Sequence, residues 1–307
     1  MEGKQPAVVV LGMFDGVHIG HRALLARARQ IAARERAVCA VDTFREHPAE
    51  VLGGGVRLLS DAAERKALLF EAGADVVRMQ TFDRARAAES PERFIAAELA
   101  AWDVRAFVVG YNYTFGARAA GTADTLAALG ARHGFSVTVA APTLYGGEPV
   151  SSTRIRALIE AGDVATASEM LAAPKRAYAL SGTVVENRRI GRRIGFPTAN
   201  ILPPADRVTP MDGVYGALVE IDGEGRAYPA VTNVGTNPTV GGTVRGVESH
   251  LLGFDGDIYG RTIRVSFLFH IRGEITFPDV QALSAQIALD EAAVRARLGD
   301  RPTECGA

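Results

Sequence analysis

The chain has 307 residues, of which 48% are hydrophobic and 22% are charged, and its formal net charge is −1. This length and apolar content suffice for two domains of ordinary size, and the balanced charge argues against a general nucleic-acid binder, which needs a basic surface to neutralise phosphates. The sequence shows no secretion signal and no run near the roughly 18 apolar residues of a membrane helix, and its two cysteines, Cys39 and Cys305, fit a reducing compartment, so we expect a cytoplasmic protein.

The first predicted elements are a strand, a glycine-bearing turn and a helix. Val8–Leu11 is a short apolar run typical of a buried parallel strand, and residues 22–35 have the periodicity of a helix with one apolar face. The turn carries His18 and His21, which project to one side because they are three residues apart. Such a turn attracts anions, and two imidazoles can stabilise charge on a transferred phosphoryl group. For either histidine alone, a partly exposed position at a helix start is the more ordinary interpretation.

Strands and helices alternate through the rest of the first half, which predicts βαβ units and a parallel sheet. The predicted strands are residues 37–43, 74–79, 106–110 and 137–140, and the predicted helices are residues 60–72, 91–102 and 126–133. Ser60 is the expected N-cap of the first of these helices.

The loop Gly110–Gly116 follows one of these strands and is rich in aromatic residues. Asn112, Tyr113 and Phe115 suit stacking on a planar ring and hydrogen bonding to its polar edge. The alternative is that the aromatic side chains cap the core by simple alternation.

The segment around Ser152 is a second candidate phosphate site. Ser152 and Thr153 can cap a helix and bind phosphate oxygens. Arg156 lies on the same side of that helix as Thr153 and can form paired hydrogen bonds to a phosphate. An N-capped surface helix is the alternative interpretation.

Near residue 175 the pattern changes from alternating strands and helices to successive strands. The predicted strands are residues 178–185, 214–221, 226–233, 249–252 and 263–271, and one late helix is predicted over residues 280–298. Short turns between strands, followed by a single helix, indicate an antiparallel barrel or sandwich. Residues 301–307 are predicted to be a disordered tail.

A glycine-flanked basic pair followed by Pro-Thr-Ala-Asn is the most informative segment of the second half. Its loop contains Gly191, Arg192 and Gly195 and is expected to fold over phosphates. Thr198 and Asn200 occupy alternate positions, so both point to one face of an extended segment and can offer oxygen ligands to Mg²⁺. As isolated residues they could equally form turns.

Five segments resemble motifs of known enzymes. Residues 12–21 resemble the signature of the HxGH nucleotidyltransferases. Within that group they resemble the flavin-adenylylating branch, which is represented by the bacterial bifunctional riboflavin kinase/FMN adenylyltransferases (FAD synthetases). Residues 191–201 resemble the riboflavin kinase signature, and residues 110–116, 152–156 and 233–239 carry further motifs of the family in the expected order. The resemblance covers essentially the whole chain.

The resemblance implies two domains with different folds. A Rossmann-like HxGH nucleotidyltransferase domain with a parallel sheet is expected over residues 1–174, and a mainly β riboflavin kinase domain, an antiparallel barrel with a C-terminal helix, over residues 175–300, followed by the tail 301–307. The second domain would phosphorylate riboflavin to FMN, and the first would adenylylate FMN to FAD and release pyrophosphate. The implied partners are ATP, riboflavin and FMN, with Mg²⁺ as cofactor, no nucleic acid, no membrane, and a monomer or weak homo-oligomer.

The resemblance also implies a role for each matching residue. Catalytic roles fall on His18, His21, Arg156 and Glu248, of which Glu248 would accept the proton of the ribityl 5′-hydroxyl. The implied ATP site of the adenylyltransferase contains Gly12, Phe14, Asp15, His18, His21, Ser152, Thr153 and Arg156. Its implied flavin site contains Asn112, Tyr113 and Phe115. The implied ATP site of the kinase contains Gly191, Arg192, Gly195, Thr198 and Asn200, with Thr198 and Asn200 as the Mg²⁺ ligands.

Four positions depart from the family pattern. Glu46 stands where the family usually has proline, and Pro149 stands where some members have a basic residue. Asn187 replaces a common glycine, and Asn237 replaces a common arginine. Glu46 puts in doubt the rigidity of its loop, and Pro149 puts in doubt one phosphate contact. Asn187 puts in doubt the ATP affinity of the kinase site.

Three other functions fit parts of the sequence. Another HxGH transferase, such as a cytidylyl- or pantetheine-phosphate adenylyltransferase, would explain the two histidines but not the Pro-Thr-Ala-Asn segment and Glu248. A tRNA ligase-like RNA binder would share His-Ile-Gly-His, but the sequence offers no lysine-rich second signature and no basic recognition domain. A non-catalytic flavin sensor would keep the fold without needing the candidate catalytic residues, so measured turnover distinguishes it.

Overall fold

The chain forms two compact units, each of which is described by itself below. The first is Met1–Ser152 and the second is Thr153–Ala307. The computed structural model describes residues 4–171, 177–186, 196–239 and 242–304, with the backbone alone at 237–239 and 242–244. None of the helices in these ranges combines the length and the apolar character that a membrane span requires.

The first unit is built around a parallel five-stranded sheet, as the sequence predicts. The strand order is β3-β2-β1-β4-β5, and every neighbouring pair is parallel. The elements of this unit are β1 (Pro6–Leu11), α1 (Ile19–Glu35), β2 (Val38–Phe44), α2 (Pro48–Val51), α3 (Ala62–Glu71), β3 (Val76–Gln80), α4 (Arg84–Ala87), α5 (Pro91–Ala101), β4 (Asp103–Gly110), α6 (Ala123–His133), β5 (Ser136–Ala140), β6 (Leu144–Tyr145) and β7 (Glu148–Pro149).

Both faces of this sheet are covered, which explains why its central strand is almost wholly apolar. In β1, Val9 pairs with Ala40 on one side and Phe107 on the other. Val8 and Val10 pack with side chains of α1 and α3. The alternate residues of β1 pack with side chains of α5 and α6 on the opposite face. The two cores hold the end of β1 rigidly between its neighbours.

The strand order places a topological switch point between β1 and β4. The chain runs outwards from β1 through β2 to β3 and then returns to the other side of β1 to form β4 and β5. Ligands bind open α/β sheets at the carboxyl ends of the strands that flank such a point. The histidine turn follows β1 and the aromatic loop follows β4, so both predicted motifs emerge there.

One predicted helix cap is wrong. Asp61, not Ser60, caps α3, because its carboxylate accepts the backbone N–H of Glu64 at 2.8 Å. Ser60 is buried one residue earlier and belongs to the histidine turn described below.

The second unit contains the predicted antiparallel barrel-like sheet and its C-terminal helix. The strand order is β8-β13-β10-β11-β12-β9, and a bridge between Val185 and Asn200 joins the segment after β8 to β9, so the sheet curls back on itself. The elements from the unit boundary onwards are α7 (Ser152–Glu160), α8 (Val164–Met170), β8 (Tyr178–Thr183), β9 (Ala199–Ile201), β10 (Gly213–Ile221), β11 (Arg226–Thr239), β12 (Gly242–Leu251), β13 (Thr262–Arg272), α9 (Val280–Leu298) and β14 (Thr303–Glu304).

Apolar and ionic contacts fix helix α9 to the sheet. Val294 is fully buried in a cluster with Val214, Val231 and other side chains of the sheet. The guanidinium of Arg272 donates to the carboxylate of Asp290 from two nitrogens, the closest pair of atoms being 2.8 Å apart. The bounds of this helix agree with the sequence prediction.

The tail is not wholly disordered, which corrects the prediction. Thr303–Glu304 form β14, which pairs with Arg226 and Ala227 of β11. The reason is that β12 pairs with β11 only from Ala230 onwards, which leaves an edge of β11 open for a further strand. Residues 305–307, including Cys305, lie outside the described residues.

Candidate active sites

The turn after β1 has a backbone that only a few residue types tolerate. Phe14 has φ 57°, Gly16 has φ 77° and Val17 has φ 41°, all in the left-handed region, which is unusual for bulky or β-branched residues. The ring of Phe14 is buried and covers Gly12, where a Cβ would lie 2.9 Å from the ring. Glycine at the predicted position 12 therefore leaves the space that the ring of the predicted residue Phe14 fills.

Asp15 holds this turn against the segment before α3. Its carboxylate accepts the backbone N–H groups of Leu59 and Ser60, each at 3.0 Å, and the hydroxyl of Ser60 accepts the N–H of Gly16 at 3.0 Å. Asp15 is 2% exposed. The sequence predicts Asp15 as part of an ATP site. In the structure its carboxylate is hydrogen-bonded to backbone N–H groups of its own unit.

His18 and His21 lie together at the start of α1. The Nδ1 of His18 caps the helix by accepting the backbone N–H of His21 at 3.3 Å, which leaves the proton of a neutral imidazole on Nε2. The two rings stack with centroids 3.6 Å apart. A Cβ at Gly20 would lie 3.1 Å from the His18 ring. Glycine at this position therefore avoids a steric clash with the imidazole.

The His21 imidazole is neutral at neutral pH. Burial, and secondly the neighbouring His18, lower the pKa of His21 well below its usual value. Its Nδ1 is buried and has no hydrogen-bond partner within the described parts of the chain. A neutral imidazole presents one N–H donor, which suits it to a phosphate oxygen without fixing a permanent charge in the site.

A cavity of about 700 Å³ connects the histidine turn with the aromatic loop. Its lining includes the predicted residues Gly12, Phe14, His21, Asn112, Tyr113 and Phe115. The rings of Tyr113 and Phe115 stack with centroids 5.8 Å apart. The structure thus brings together residues that the sequence predicts for two different ligands. His18 and Asp15 are not among the lining residues.

The same cavity has lining residues that the sequence analysis missed. Asp42 on β2 and Arg86 on α4 contribute charge, and Phe44, Phe82 and Phe94 contribute aromatic rings. Asp42 is the one charged residue of strand β2, and this interruption is the signal that could have identified it.

Ser152 lies beside the histidine turn. Its hydroxyl donates to the backbone carbonyl of Asp15 at 2.9 Å, across 137 residues of sequence. Thr153 is exposed and Arg156 is half-buried, one turn apart on α7 in the second unit.

In the second unit, three predicted residues converge on one point. Glu248 on β12 pairs with Asn200 on β9, and the hydroxyl of Thr198 donates to the Glu248 carboxylate at 2.5 Å. The side-chain nitrogen of Asn200 lies 3.5 Å from the same carboxylate oxygen and 3.4 Å from the Thr198 hydroxyl. Thr198 and Asn200 also line a smaller cavity of about 150 Å³ with Asp255 and Tyr259.

His250, two residues after Glu248, connects this point to α9. Its Nδ1 donates to the carbonyl of Pro197 at 2.7 Å, and its Nε2 lies 3.0 Å from the carboxylate of Glu291. Pro197 directly precedes Thr198 in the chain. The predicted residues Gly191, Arg192 and Gly195, and the departure at Asn187, lie outside the described residues.

These features define the class of the protein as an enzyme that uses ATP at two places. A Rossmann-like sheet with two histidines at its switch point is typical of a nucleotidyltransferase, and a barrel-like sheet with a Thr-Asn-Glu cluster fits a phosphoryl-transfer domain. The model of the FAD synthetase family matches residues 1–154, and that of the riboflavin kinase family matches residues 174–298.

Proteins of known name agree with these two matches over almost the whole chain. The chain is 37% identical over 300 residues to a bifunctional riboflavin kinase/FMN adenylyltransferase of Escherichia coli, covering 96% of this chain and 94% of that protein. It is 33% identical to a protein of the same name from Listeria monocytogenes, covering 94% and 91%. A crystal structure titled a macrolide-efflux protein from Streptococcus pneumoniae has a TM-score of 0.86 and 32% identity over 95% of each chain; efflux is what that title says of that protein.

The chain belongs to the bifunctional riboflavin kinase/FMN adenylyltransferase family. It is a bifunctional enzyme of flavin cofactor synthesis. Its C-terminal part phosphorylates riboflavin to FMN with ATP, and its N-terminal part adenylylates FMN to FAD with release of pyrophosphate.

Proposed function

We propose that the residues predicted from the sequence carry these two reactions at two separate ATP sites. The observation that supports the adenylyl-transfer site most strongly is the shared cavity, which is lined by His21 and by Asn112, Tyr113 and Phe115. A transferase must bind two substrates side by side. A phosphate-binding turn that adjoins an aromatic wall can hold ATP and the isoalloxazine ring of FMN in that way.

In the proposed adenylyl transfer, a phosphate oxygen of FMN attacks the α-phosphorus of ATP in line. A bond forms between that oxygen and the α-phosphorus, and the bond from the α-phosphorus to the bridging oxygen breaks, so pyrophosphate leaves with the electron pair. The Nε2–H of His18 and the neutral imidazole of His21 donate to oxygens of the transferring phosphate, where charge builds up. Thr153 and Arg156 hold the outgoing pyrophosphate, and Ser152 binds ATP beside the turn.

Three further residues serve the ATP site by shaping its backbone. Gly12 leaves room in the turn for the ring of Phe14. Phe14 supports that turn from the core, and Asp15 anchors it through the backbone of residues 59–60. Their contribution to ATP binding is therefore to position the backbone N–H groups of the turn. A substitution at any of them should slow FAD formation and leave the rate of FMN formation unchanged.

In the proposed kinase step, Glu248 accepts the proton of the ribityl 5′-hydroxyl while that oxygen attacks the γ-phosphorus of ATP. The new P–O bond makes FMN, and ADP leaves with the electron pair of the broken bond. Hydrogen bonds from Thr198 and from the side chain of Asn200 to Glu248 support this assignment because they hold the carboxylate in place. The loop with Gly191, Arg192 and Gly195 covers the ATP phosphates.

The donor set of this site fits Mg²⁺. Thr198, Asn200 and Glu248 offer hydroxyl, amide and carboxylate oxygens within one cluster, and Mg²⁺ prefers such hard oxygen ligands together with substrate phosphates. We assign Thr198 and Asn200 as the residues that hold it. When bound, Mg²⁺ would neutralise charge on the phosphates of ATP.

We also propose the bounds of the two domains, the location of the protein in the cell and its partners. The adenylyltransferase domain spans residues 1–174 and the kinase domain residues 175–300, followed by the tail 301–307. The protein works in the cytoplasm as a monomer or weak homo-oligomer on small-molecule substrates, without nucleic-acid or membrane partners.

Two substitutions test the assignment of the two sites. We expect His21→Ala to reduce FAD formation from added FMN by roughly 100-fold, since a donor to the developing charge is lost, and to leave FMN formation from riboflavin unchanged. We expect Glu248→Gln to reduce FMN formation by roughly 100-fold or more, since a general base is lost, and to leave FAD formation from added FMN unchanged. Chromatographic separation of the flavins gives the two rates from separate reactions, one started with riboflavin and one with FMN.

Matched controls come from the same chain. His133→Ala removes an exposed histidine at the end of α6, and Glu220→Gln removes a carboxylate on β10; both should leave both rates unchanged. Normal FAD formation by His21→Ala, or normal FMN formation by Glu248→Gln, would remove that residue from its proposed role.

A further inference from the structure

Glu46 joins the two loops that follow strands β2 and β3. The parallel pairing of these strands ends with Phe44 beside Gln80, and one further backbone bond runs from the N–H of Arg45 to the carbonyl of Gln80 at 2.8 Å. Beyond it, the carboxylate of Glu46 accepts the backbone N–H of Phe82 at 2.9 Å. A side chain therefore continues, between the two loops, the pairing that the strands begin.

The two strand ends and their loops form one side of the large cavity. Each contributes three residues to its lining: Phe44, Pro48 and Leu52 from the first, and Phe82, Arg86 and Ala87 from the second. Phe44 and Phe82, which we call the aromatic pair, meet edge to face with ring centroids 4.9 Å apart. Both side chains are half-buried, so a ligand in the cavity can reach them.

The loop that carries Glu46 is itself fixed to the core. The guanidinium of Arg65, which is 0% exposed, donates to the backbone carbonyls of Phe44 and Arg45 at 2.7 and 2.9 Å. This anchors the loop after β2 to helix α3. The carboxylate of Glu46 therefore extends from a held backbone and can serve as a fixed acceptor for the N–H of Phe82.

The loop that carries Phe82 depends more on that contact. Residues 81–83 lie between β3 and α4 and belong to neither, so regular secondary structure does not fix the ring of Phe82. A hydrogen bond to a carboxylate is stronger than one between neutral groups. Side chains and loops that must be ordered by a ligand lower its affinity, so a ring held in advance favours binding.

We propose that Glu46 is a positioning residue of the flavin site, and that its hydrogen bond to Phe82 holds the aromatic pair in place for the isoalloxazine ring of FMN. This inference rests on the proposed function, in which the same cavity binds FMN, because a planar ring packs on aromatic side chains. Glu46 is not among the lining residues and acts through Phe82. Its effect falls on FMN affinity, since the residues proposed to act on the transferring phosphate, His18 and His21, lie after β1.

The first test uses two substitutions of Glu46 in the full-length protein, with steady-state FAD formation from FMN, ATP and Mg²⁺ as the readout. Glu46→Met keeps the length of the side chain without its acceptor and should raise the KM for FMN by roughly fivefold to tenfold, the equivalent of one hydrogen bond. The kcat and the KM for ATP should stay within about twofold, because only ground-state binding of FMN is lost. Glu46→Gln keeps an acceptor oxygen and should restore most of the FMN affinity.

Three results of this test would overturn the proposal. They are an unchanged KM for FMN in Glu46→Met, an equal rise of that KM in Glu46→Gln, and a KM for ATP that rises as much as that for FMN. Glu50→Met is the matched control, because Glu50 is exposed on α2 and outside the cavity lining. It should change each constant by less than about twofold.

The second test asks whether Glu46 acts through Phe82. Phe82→Ala should itself raise the KM for FMN. In that background Glu46→Met should add less than about twofold, because two substitutions that remove the same contact are not additive. An unchanged KM for FMN in Phe82→Ala, or a double variant in which the two increases multiply, would contradict the proposal.

Asn112→Ala separates failure of this inference from failure of the proposed function. If Asn112→Ala raises the KM for FMN and Glu46→Met does not, the cavity binds FMN and only the role of Glu46 is wrong. If Asn112→Ala and Phe82→Ala both leave that KM unchanged, the proposed flavin site itself fails. The fluorescence of Trp102, the single tryptophan of the chain, reports the folding of the first unit, and all constants are measured below the melting transition of every variant.

Discussion

In the first unit, burial shifts the pKa values of two side chains and thereby determines their protonation states at neutral pH. His21 stays neutral because burial and His18 lower its pKa, and Glu98 stays protonated because burial and Asp42 raise its pKa to about 8. The two shifts have opposite chemical consequences. The lowered pKa keeps a positive charge off His21 as the pH falls below 7, whereas the raised pKa lets Glu98 ionise only as the pH rises past about 8.

The shift of Glu98 predicts how stability depends on pH. An unfolded Glu loses its proton near pH 4.5, whereas the folded side chain keeps it until about pH 8, so the folded state binds more protons between these values. The contribution of Glu98 to stability therefore falls as the pH rises through this window, by at most about 1.4 kcal/mol per pH unit. Glu98→Gln cannot ionise and should lack this loss, so its melting temperature relative to the wild type should rise from pH 5 to pH 9.

Trp102 fluorescence measures this melting transition in the first unit. Glu92→Gln is a suitable control because Glu92 is exposed on the same helix, α5. A difference between Glu98→Gln and the wild type that stays constant from pH 5 to pH 9 would contradict the assignment of the raised pKa to Glu98.

At the residue scale, the sequence predicts the motif residues but not their partners. The motif that contains His18 and His21 is visible in the sequence, whereas the stacking of their rings depends on a left-handed turn that local patterns do not reveal. The contacts of Asp15 with residues 59–60 and with Ser152 bridge 44 and 137 positions. The wrong cap at Ser60 has the same origin, because a hydroxyl that serves a distant turn looks like a helix cap in the sequence.

At the scale of elements, strands and helices with regular apolar periodicity were predictable to within a few residues. Strands β11 and β12 form a long hairpin. β11 continues to Thr239 and β12 begins at Gly242, whereas the predicted strands cover only residues 226–233 and 249–252. Its distal part is rich in Gly, Thr and Pro and lacks the alternation that marks a strand. Pairing with the neighbouring strand, which a single sequence does not show, forms it.

The pairing of β12 with β9 is the element contact that assembles the kinase cluster. It sets Glu248 opposite Asn200, and His250 on the same strand ties Pro197 to Glu291 of α9. Glu291 is held in turn by Arg295 at 2.6 Å. This chain of contacts positions the segment that begins with Thr198 from the side of the helix.

His250 is therefore expected to be a positioning residue for the kinase. His250→Ala removes the hydrogen bond to Pro197 and should lower the kcat of FMN formation by roughly fivefold to tenfold, the equivalent of one such bond, while FAD formation from added FMN stays normal. His250→Gln, which keeps a donor, should restore part of the rate. His270→Ala on β13 serves as the control. An unchanged kcat in His250→Ala, or an equal loss of both activities, would contradict this role.

At the scale of the whole molecule, the two activities are linked by one flavin. The product of the second unit, FMN, is the substrate of the first, and each reaction uses ATP differently. The kinase transfers the γ-phosphoryl group, and the adenylyltransferase transfers the AMP moiety. The change of pattern near residue 175 was enough to predict two domains of different fold, since a parallel sheet and an antiparallel barrel differ in the order of their elements.

The position of a phosphorus label distinguishes these two reactions in a single mixture. Riboflavin and Mg²⁺ are incubated with the protein and with ATP labelled either at the γ-phosphorus or at the α-phosphorus, and the flavins are separated. The account predicts that the γ label appears in both FMN and FAD, that the α label appears in FAD alone, and that pyrophosphate carries no α label. Unlabelled flavins in both mixtures, or an α label in FMN, would contradict it.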